Sequence, residues 1–272
     1  MDQRQSVSVS RVVSCKELIP GIFDLRLETE IAKTAMPGQF VGVYPNDETK
    51  LLPRPVSVCD VENDVLRLVF RVSGAGTAQF SLFKPGESVR LAGPFGNGYP
   101  LERMDGKDVL LIGGGIGIPP LLFLAKALAG GFEGTDRSDL CIARASNVTA
   151  ALGYREPVLF LDRDFAPYAT LLLACDVPCG LGIQGTALDA VLLAGAQGDV
   201  TCACGPKPML KEVKIFADET ETYLSLEERM ACGVGACLAC VVPTEETDAH
   251  SHVKNARVCT EGPVFPASRV VL

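Results

Sequence analysis

A chain of 272 residues, 47% of them hydrophobic, is long enough for roughly two or three domains, each with its own core. Its formal net charge of -8 argues against nucleic acid or an anionic membrane as a partner. The 11 cysteines are odd in number and only four have a recognisable ligand spacing, which argues against a secreted disulfide scaffold and for a reducing, cytoplasmic setting.

The N-terminal stretch MDQRQSVSVSRVVSCK alternates polar and apolar residues and lacks the apolar run of a signal peptide, so none is expected. From residue 6 to about residue 91 the period is mostly two, in SVSVSRVV, GIFDLRLET, QFVGVYP, DVLRLVFRV and SVRLAG. Pro20-Gly21, Pro37-Gly38 and Pro85-Gly86 punctuate these runs. Short strands separated by turn residues predict a closed antiparallel β-barrel over residues 1–102. Two segments of it stand out. Arg54-Pro55-Val56-Ser57 offers a cation and a hydroxyl on a stiff backbone, although a surface strand with a solvated arginine would look the same. Val69-Phe70-Arg71-Val72-Ser73-Gly74-Ala75-Gly76-Thr77 leads into a helix start, where Gly74 and Gly76 would leave N–H groups free for a pyrophosphate. The following GPFGNGY, residues 93–99, has the composition of a plain turn.

Residues 103–222 open with DVLLIGGGIGIPPLLFLAKAL. Its uncharged run over residues 109–125 approaches the length of a membrane span, but four glycines and Pro119-Pro120 predict a strand, a turn and a helix start instead. Apolar runs at 157–161, 169–175 and 200–203 alternate with helix-like stretches such as 185–193, which predicts a parallel sheet with helices on its faces. Gly115-Ile116-Gly117-Ile118-Pro119-Pro120 fails the dinucleotide fingerprint at its third glycine, yet tight backbone before an exposed helix N-terminus still suits a pyrophosphate. Cys204-Gly205-Pro206-Lys207-Pro208-Met209 repeats that design after another strand. Residues 130–151 have no legible pattern and are assigned no function.

In residues 223–272 cysteines fall at Cys232, Cys237, Cys240 and Cys259, a C-x4-C-x2-C run with a distant fourth member, the plant-type spacing for a 2Fe-2S cluster. Gly233, Val234, Gly235 and Ala236 are small enough for the backbone to wrap inorganic sulfides. A structural zinc ion is the alternative, although zinc ribbons use two C-x2-C pairs and only Cys237 and Cys240 form one. His250 and His252 suggest exposed loop histidines, since four cysteines already fill the site. Glu227, Glu228 and Arg229 either orient the cluster, face a partner or are solvated helix charges. Cys15, Cys59, Cys141, Cys175, Cys179, Cys202 and Cys204 are expected to be structural.

Taken in order, these segments resemble the ferredoxin reductase superfamily, and more narrowly the electron-transfer subunits of NAD-linked, two-subunit dihydroorotate dehydrogenases. The resemblance implies a multidomain β and α/β protein: an FAD-binding barrel, an NAD-binding α/β domain and a cluster-binding C-terminal segment. It implies FAD held by Arg54, Pro55, Val56, Ser57, Val69, Phe70, Arg71, Gly76 and Thr77, and NAD held by Gly114, Gly115, Ile116, Gly117, Cys204, Gly205, Pro206 and Met209. The four cysteines would ligate the 2Fe-2S cluster. It further implies electron transfer to NAD in pyrimidine biosynthesis, from an FMN-containing catalytic subunit in a heterotetramer with two copies of each chain. No nucleophile with an adjacent base can be picked out, which agrees with substrate oxidation in a partner. Pro53 stands where a second basic residue is frequent in the family. A reductase of similar build serving sulfite reduction, a hydrogenase or a ferredoxin pool remains an alternative, as does a non-catalytic zinc scaffold.

Overall fold

The computed structural model describes residues 7–47, 49–247 and 252–272. Six strands form the barrel: β1 (Val7–Ile19), β2 (Ile22–Glu28), β3 (Phe40–Val43), β4 (Arg54–Glu62), β5 (Val65–Arg71) and β6 (Ser88–Phe95). Their order is β1-β2-β5-β4-β3-β6, and β1 closes the barrel on β6 in an antiparallel register from Val7 opposite Ala92 to Arg11 opposite Ser88. Alternation explains the closure, because Leu25, Leu27, Leu66, Leu68, Val41, Val43 and Leu91 turn inward and are fully buried. The β1–β2 hairpin turns at Pro20-Gly21, with Gly21 at φ +77°, a backbone position that favours glycine. A short helix, α1 (Ala75–Phe80), follows β5.

The second unit is built on a seven-stranded sheet ordered β10-β9-β8-β7-β11-β12-β15. Its strands are β7 (Asp108–Gly114), β8 (Asn147–Tyr154), β9 (Thr170–Cys175), β10 (Ile183–Gln184), β11 (Val200–Cys204), β12 (Glu221–Ser225) and β15 (Val264–Pro266). All neighbours pair in parallel except β15, which runs antiparallel to β12. The helices are α2 (Ile118–Leu128), α3 (Asp162–Phe165), α4 (Ala187–Ala194) and α5 (Lys207–Phe216). In the C-terminal segment β13 (Val241–Pro243) and β14 (Asn255–Arg257) form a small hairpin. The uncharged run at 109–125 is therefore strand, turn and helix, and no helix among the described residues is long and apolar enough to cross a membrane.

Helix α2 is buried almost all round because it lies between the sheet and the barrel. Its one charge is neutralised there: Lys126 Nζ donates to Asp60 Oδ1 at 3.0 Å and to the Val61 carbonyl at 3.3 Å, and sits 4.5 Å above the Phe132 ring. Arg67 of β5 makes a second bridge, pairing with Asp24 of the neighbouring strand β2 and with Asp164 on α3.

Two expectations need correction, and one segment left unread acquires a structure. Residues 157–161 are not a strand; they lead through Leu161, at φ +65°, into α3, and the Tyr154 hydroxyl donates to the Phe160 carbonyl at 3.0 Å. The strand at this place is β8, which begins inside the segment that had no legible pattern. The remainder of that segment is an anchor: Arg137, 3% exposed, donates to the carbonyl oxygens of Ala32 and Ala35 in the barrel unit and pairs with Asp139. The boundary expected between residues 222 and 223 falls inside β12, and β15 from the C-terminal segment completes the same sheet. That segment shares a core with the sheet and the barrel wall, in which Cys240, Cys259 and Phe265 lie with Phe40, Phe95, Leu110 and Leu224.

Candidate functional site

Two clefts open between these units. The first, about 270 Å³, lies against the barrel and is lined by Pro55, Val56 and Ser57 of β4, Val69, Phe70 and Arg71 of β5, and Phe40, Ser73 and Thr77. Ile116 and the C-terminal residues Leu226, Glu227, Glu228, Met230 and Pro263 form its other wall. Arg54 and Gly76 stand behind this lining. The Arg54 guanidinium donates to the Leu52 carbonyl at 2.7 Å, and a Cβ on Gly76 would lie 2.7 Å from Arg54 Nε, so a larger residue there would push the arginine aside. Of the two N–H groups expected to be free, that of Gly74 is used by the turn itself. Thr77 Oγ1 accepts from Ser73 N–H at 2.9 Å and from Gly74 N–H at 3.2 Å.

The second cleft, about 300 Å³, sits at the C-terminal ends of the parallel strands. Strands β8, β9 and β10 lie on one side of β7, and β11 and β12 on the other, so the crevice marks the point where strand order reverses. Gly114, Gly115, Ile116 and Gly117 after β7 face Gly205, Pro206 and Met209 after β11. The loops touch closely: a Cβ on Gly114 would lie 2.7 Å from Met209 Sδ, and one on Gly117 would overlap the Cys204 carbonyl. Cys204 itself does not line the cleft; its side chain is buried in β11, and burial raises its thiol. Arg155 after β8 and Asp176 after β9 also line it, and the sequence pattern singled out neither.

Arg71, Ile116 and Glu227 belong to both clefts. Glu227 is not a helix charge, because residues 226–230 carry no regular structure. Its carboxyl is open to the clefts but crowded by their walls, and this burial raises it above the usual glutamate value against the pull of Arg71. Glu228 pairs with Lys207 at the start of α5.

The four cysteines gather beyond Met230. Positive φ at Gly233 (+71°), Gly235 (+79°) and Leu238 (+57°) curls residues 232–240 into an irregular loop. Val234 and Cys237 N–H groups donate to Cys232 Sγ, each at 3.4 Å. Burial alone would raise the Cys232 thiol, but hydrogen bonds from the Val234 and Cys237 N–H groups, then from the Cys237 thiol and the Ala236 N–H, outweigh it and take the value down to about 6. Cys259 and Cys240 are buried side by side, and burial together with the Cys240 thiol pushes Cys259 up to about 11. A Cβ on Gly235 would lie 3.0 Å from Thr260 Cγ2, which brings the loop onto the arm that carries the fourth cysteine. Among the described residues no three His, Cys, Asp or Glu side chains converge on a single-ion position. Four thiols carried by one loop and one arm are the donor set that a two-iron cluster would take. His252 is exposed, and His250 lies outside the described residues.

Residues 227–271 match the iron-sulfur cluster binding domain of dihydroorotate dehydrogenase B. The dihydroorotate dehydrogenase B (NAD(+)) electron transfer subunit of Geobacillus sp. (strain WCH70) is 39% identical over 269 residues, covering 96% of this chain and 97% of that one. The chain belongs to this family of electron-transfer subunits. The corresponding subunit of Streptococcus pneumoniae (strain ATCC BAA-255 / R6) is 37% identical, with 96% and 97% covered. Among solved structures, a chain of the NADH-dependent reduced ferredoxin-NADP oxidoreductase is 27% identical with a TM-score of 0.79, covering 98% of this chain and 91% of that one. A ferredoxin NADP+ reductase from Neisseria gonorrhoeae shares the fold at 16% identity and a TM-score of 0.61, over 86% and 95% of the two chains.

Within the family frame, the GPFGNGY segment is more than a plain turn. Asn97 N–H donates to the Gly262 carbonyl at 2.6 Å, and its side-chain amide donates to the carbonyls of Glu261 at 3.1 Å and Thr260 at 3.3 Å. Period and spacing describe a strand's own faces, so they carried no sign of this long-range partner.

Proposed function

We propose that this electron-transfer subunit connects a catalytic partner that oxidises dihydroorotate to NAD, with FAD in the barrel-side cleft, NAD at the strand-end crevice and a 2Fe-2S cluster in the cysteine loop. The observation that carries this reading is the wall common to both clefts. Arg71, Ile116 and Glu227 face each of them, so two ligands in the two clefts would be neighbours. A bound flavin supplies the conversion between the two-electron chemistry of a nicotinamide and the one-electron chemistry of an iron-sulfur cluster.

The chain's own part is to bind and to orient. Pro55, Val56, Ser57, Val69, Phe70, Arg71 and Thr77 would hold the flavin, with Arg54 and Gly76 shaping the turn behind them. Gly114, Gly115, Ile116, Gly117, Gly205, Pro206 and Met209 would hold the nicotinamide dinucleotide, with Cys204 contributing only its backbone. Cys232, Cys237, Cys240 and Cys259 would ligate the cluster. The catalytic partner would bear FMN and join two copies of this chain with two of its own, in the cytoplasm, on the route to pyrimidine nucleotides.

Purification from the native source followed by an optical spectrum tests the reading. The expected result is a flavin-plus-iron chromophore with a dihydroorotate-oxidising chain attached. Zinc alone in the cysteine loop, or a partner that oxidises a different substrate, overturns it. Cys237→Ser, at the exposed thiol, is expected to abolish the cluster's paramagnetic signal while NADH still reduces the flavin. Unchanged iron and sulfide content in that variant counts against the ligand set.

A further inference from the structure

The barrel wall ends in three consecutive residues, Phe95, Gly96 and Asn97, and each of them touches the cysteine-bearing segment. Phe95 is 3% exposed, and its ring packs 5.5 Å from Phe40, a residue that lines the flavin-side cleft. The far edge of the same ring supports the cysteine loop, where a Cβ added to Gly233 would lie 3.4 Å from it. At Gly96, with φ +76°, a Cβ would lie 2.5 Å from both the Gly262 oxygen and Pro263 Cδ, so the two backbones are in direct contact. Asn97 holds the carbonyls of Thr260, Glu261 and Gly262, the three residues that follow Cys259.

Both parts of the cysteine set, the 232–240 loop and the arm of Cys259, are thus registered against one tripeptide. That tripeptide is fixed to the barrel. Gln39 Nε2 donates to the Gly96 carbonyl at 2.8 Å, and Phe95 is the last residue of β6. None of the three residues lines either cleft, and Phe95 reaches the flavin-side one through the Phe40 ring.

We propose that Phe95-Gly96-Asn97 is a positioning element that sets the spacing between the cysteine loop and the flavin-side cleft, and with it the rate of electron passage between them. It rests on the functional reading given above. A misplacement of about 1 Å made far from the chemistry can cost a reaction about 10²-fold, and passage between two fixed centres depends directly on their separation. Loosening this element therefore affects cluster reduction and leaves the reaction with NADH alone.

The test uses the full-length protein loaded with flavin and iron, mixed anaerobically with NADH while the flavin and cluster absorbances are followed separately. Asn97→Ala removes the side-chain donor at an exposed position. Phe95→Leu keeps the site apolar while withdrawing the ring edge from Gly233. For both variants, cluster reduction is expected to slow by about tenfold or more, with flavin reduction and the KM for NADH unchanged. Iron content stays full, and backbone amides at 232–237 exchange hydrogen faster in the variants, a readout that does not depend on turnover. Parental cluster reduction in both variants overturns the proposal, as does equal slowing of the flavin and cluster steps. If the unmodified protein passes no electrons from NADH to its iron, the functional reading fails as well, and that result is distinguishable because it precedes any substitution.

Discussion

Glu227 combines two properties that rarely meet in one carboxylate: it faces both clefts, and burial raises it against the attraction of Arg71. The folded protein therefore favours its protonated form more than the unfolded chain does. Stability from this group is complete at low pH and is lost as pH rises through the raised value, whereas a glutamine, with no proton to lose, is indifferent. Glu227→Gln resembles the protonated parent, so parent and variant are expected to converge in acid and diverge toward neutral pH. Flavin reduction by NADH in the variant should then be about tenfold slower, about 1.4 kcal/mol of transition-state stabilisation, by stopped-flow absorbance across a pH series. Identical rates and pH profiles would remove Glu227 from the site. In the linear sequence Glu227 and Glu228 look like one charge run, and only the fold separates them: Glu227 faces both clefts, whereas Glu228 lines the flavin-side one alone and pairs with Lys207. The cysteines were legible for the opposite reason: three of the four lie within nine residues, so their geometry is local.

At the scale of elements, strand β8 shows why the middle of the chain was hard to read. Its sequence Asn-Val-Thr-Ala-Ala-Leu-Gly-Tyr is rich in small residues because helices crowd it: Ala150 and Ala151 are fully buried, and a Cβ on Gly153 would lie 3.1 Å from the Ala187 nitrogen at the start of α4. Small residues blur the apolar period from which strands are recognised, whereas the larger apolar run at 157–161 imitates one. Strands β7 and β11 were legible since each is a mostly apolar run that leads into glycine. The anchor at Arg137 could not be foreseen, because its acceptors are backbone carbonyls about a hundred residues earlier. Arg137→Ala leaves those carbonyls buried without a donor, and is expected to lower stability by about 3 kcal/mol, measured as a shift in the denaturant midpoint with an unchanged slope. A loss below about 0.5 kcal/mol would mean that the contact is dispensable.

For the whole molecule, the barrel, the sheet and the cysteine segment are joined by side chains that cross between them. Within the sheet unit, Glu221 at the head of β12 ties that strand to the approach to β7: it accepts from the Tyr223 hydroxyl at 2.7 Å and pairs with Lys107 at 3.1 Å and Arg103 at 3.3 Å. The tyrosine hydrogen bond, then Lys107 and Arg103, hold its carboxyl below the ordinary value of 4.5, against a smaller opposing effect of burial. A depressed carboxyl stabilises the fold above its unfolded value and loses that contribution as pH falls through the folded one. Glu221→Gln should accordingly flatten the decline in stability below pH 4.5, followed as the urea midpoint against pH. Parallel curves for the two proteins would place the acid-sensitive group elsewhere. The division into barrel, parallel sheet and cysteine segment was legible because each has its own period and punctuation. Their interlocking was not, since it depends on contacts between residues far apart in the chain.

Strand β15 is synthesised after every strand that it shields. While the ribosome is still making the preceding cysteine arm, the outer rim of β12 has no hydrogen-bonding neighbour, and a bare rim of this kind invites pairing with another nascent chain. A chain that ends between Cys259 and residue 264 therefore keeps all four cysteines and still has a sheet left open to aggregation.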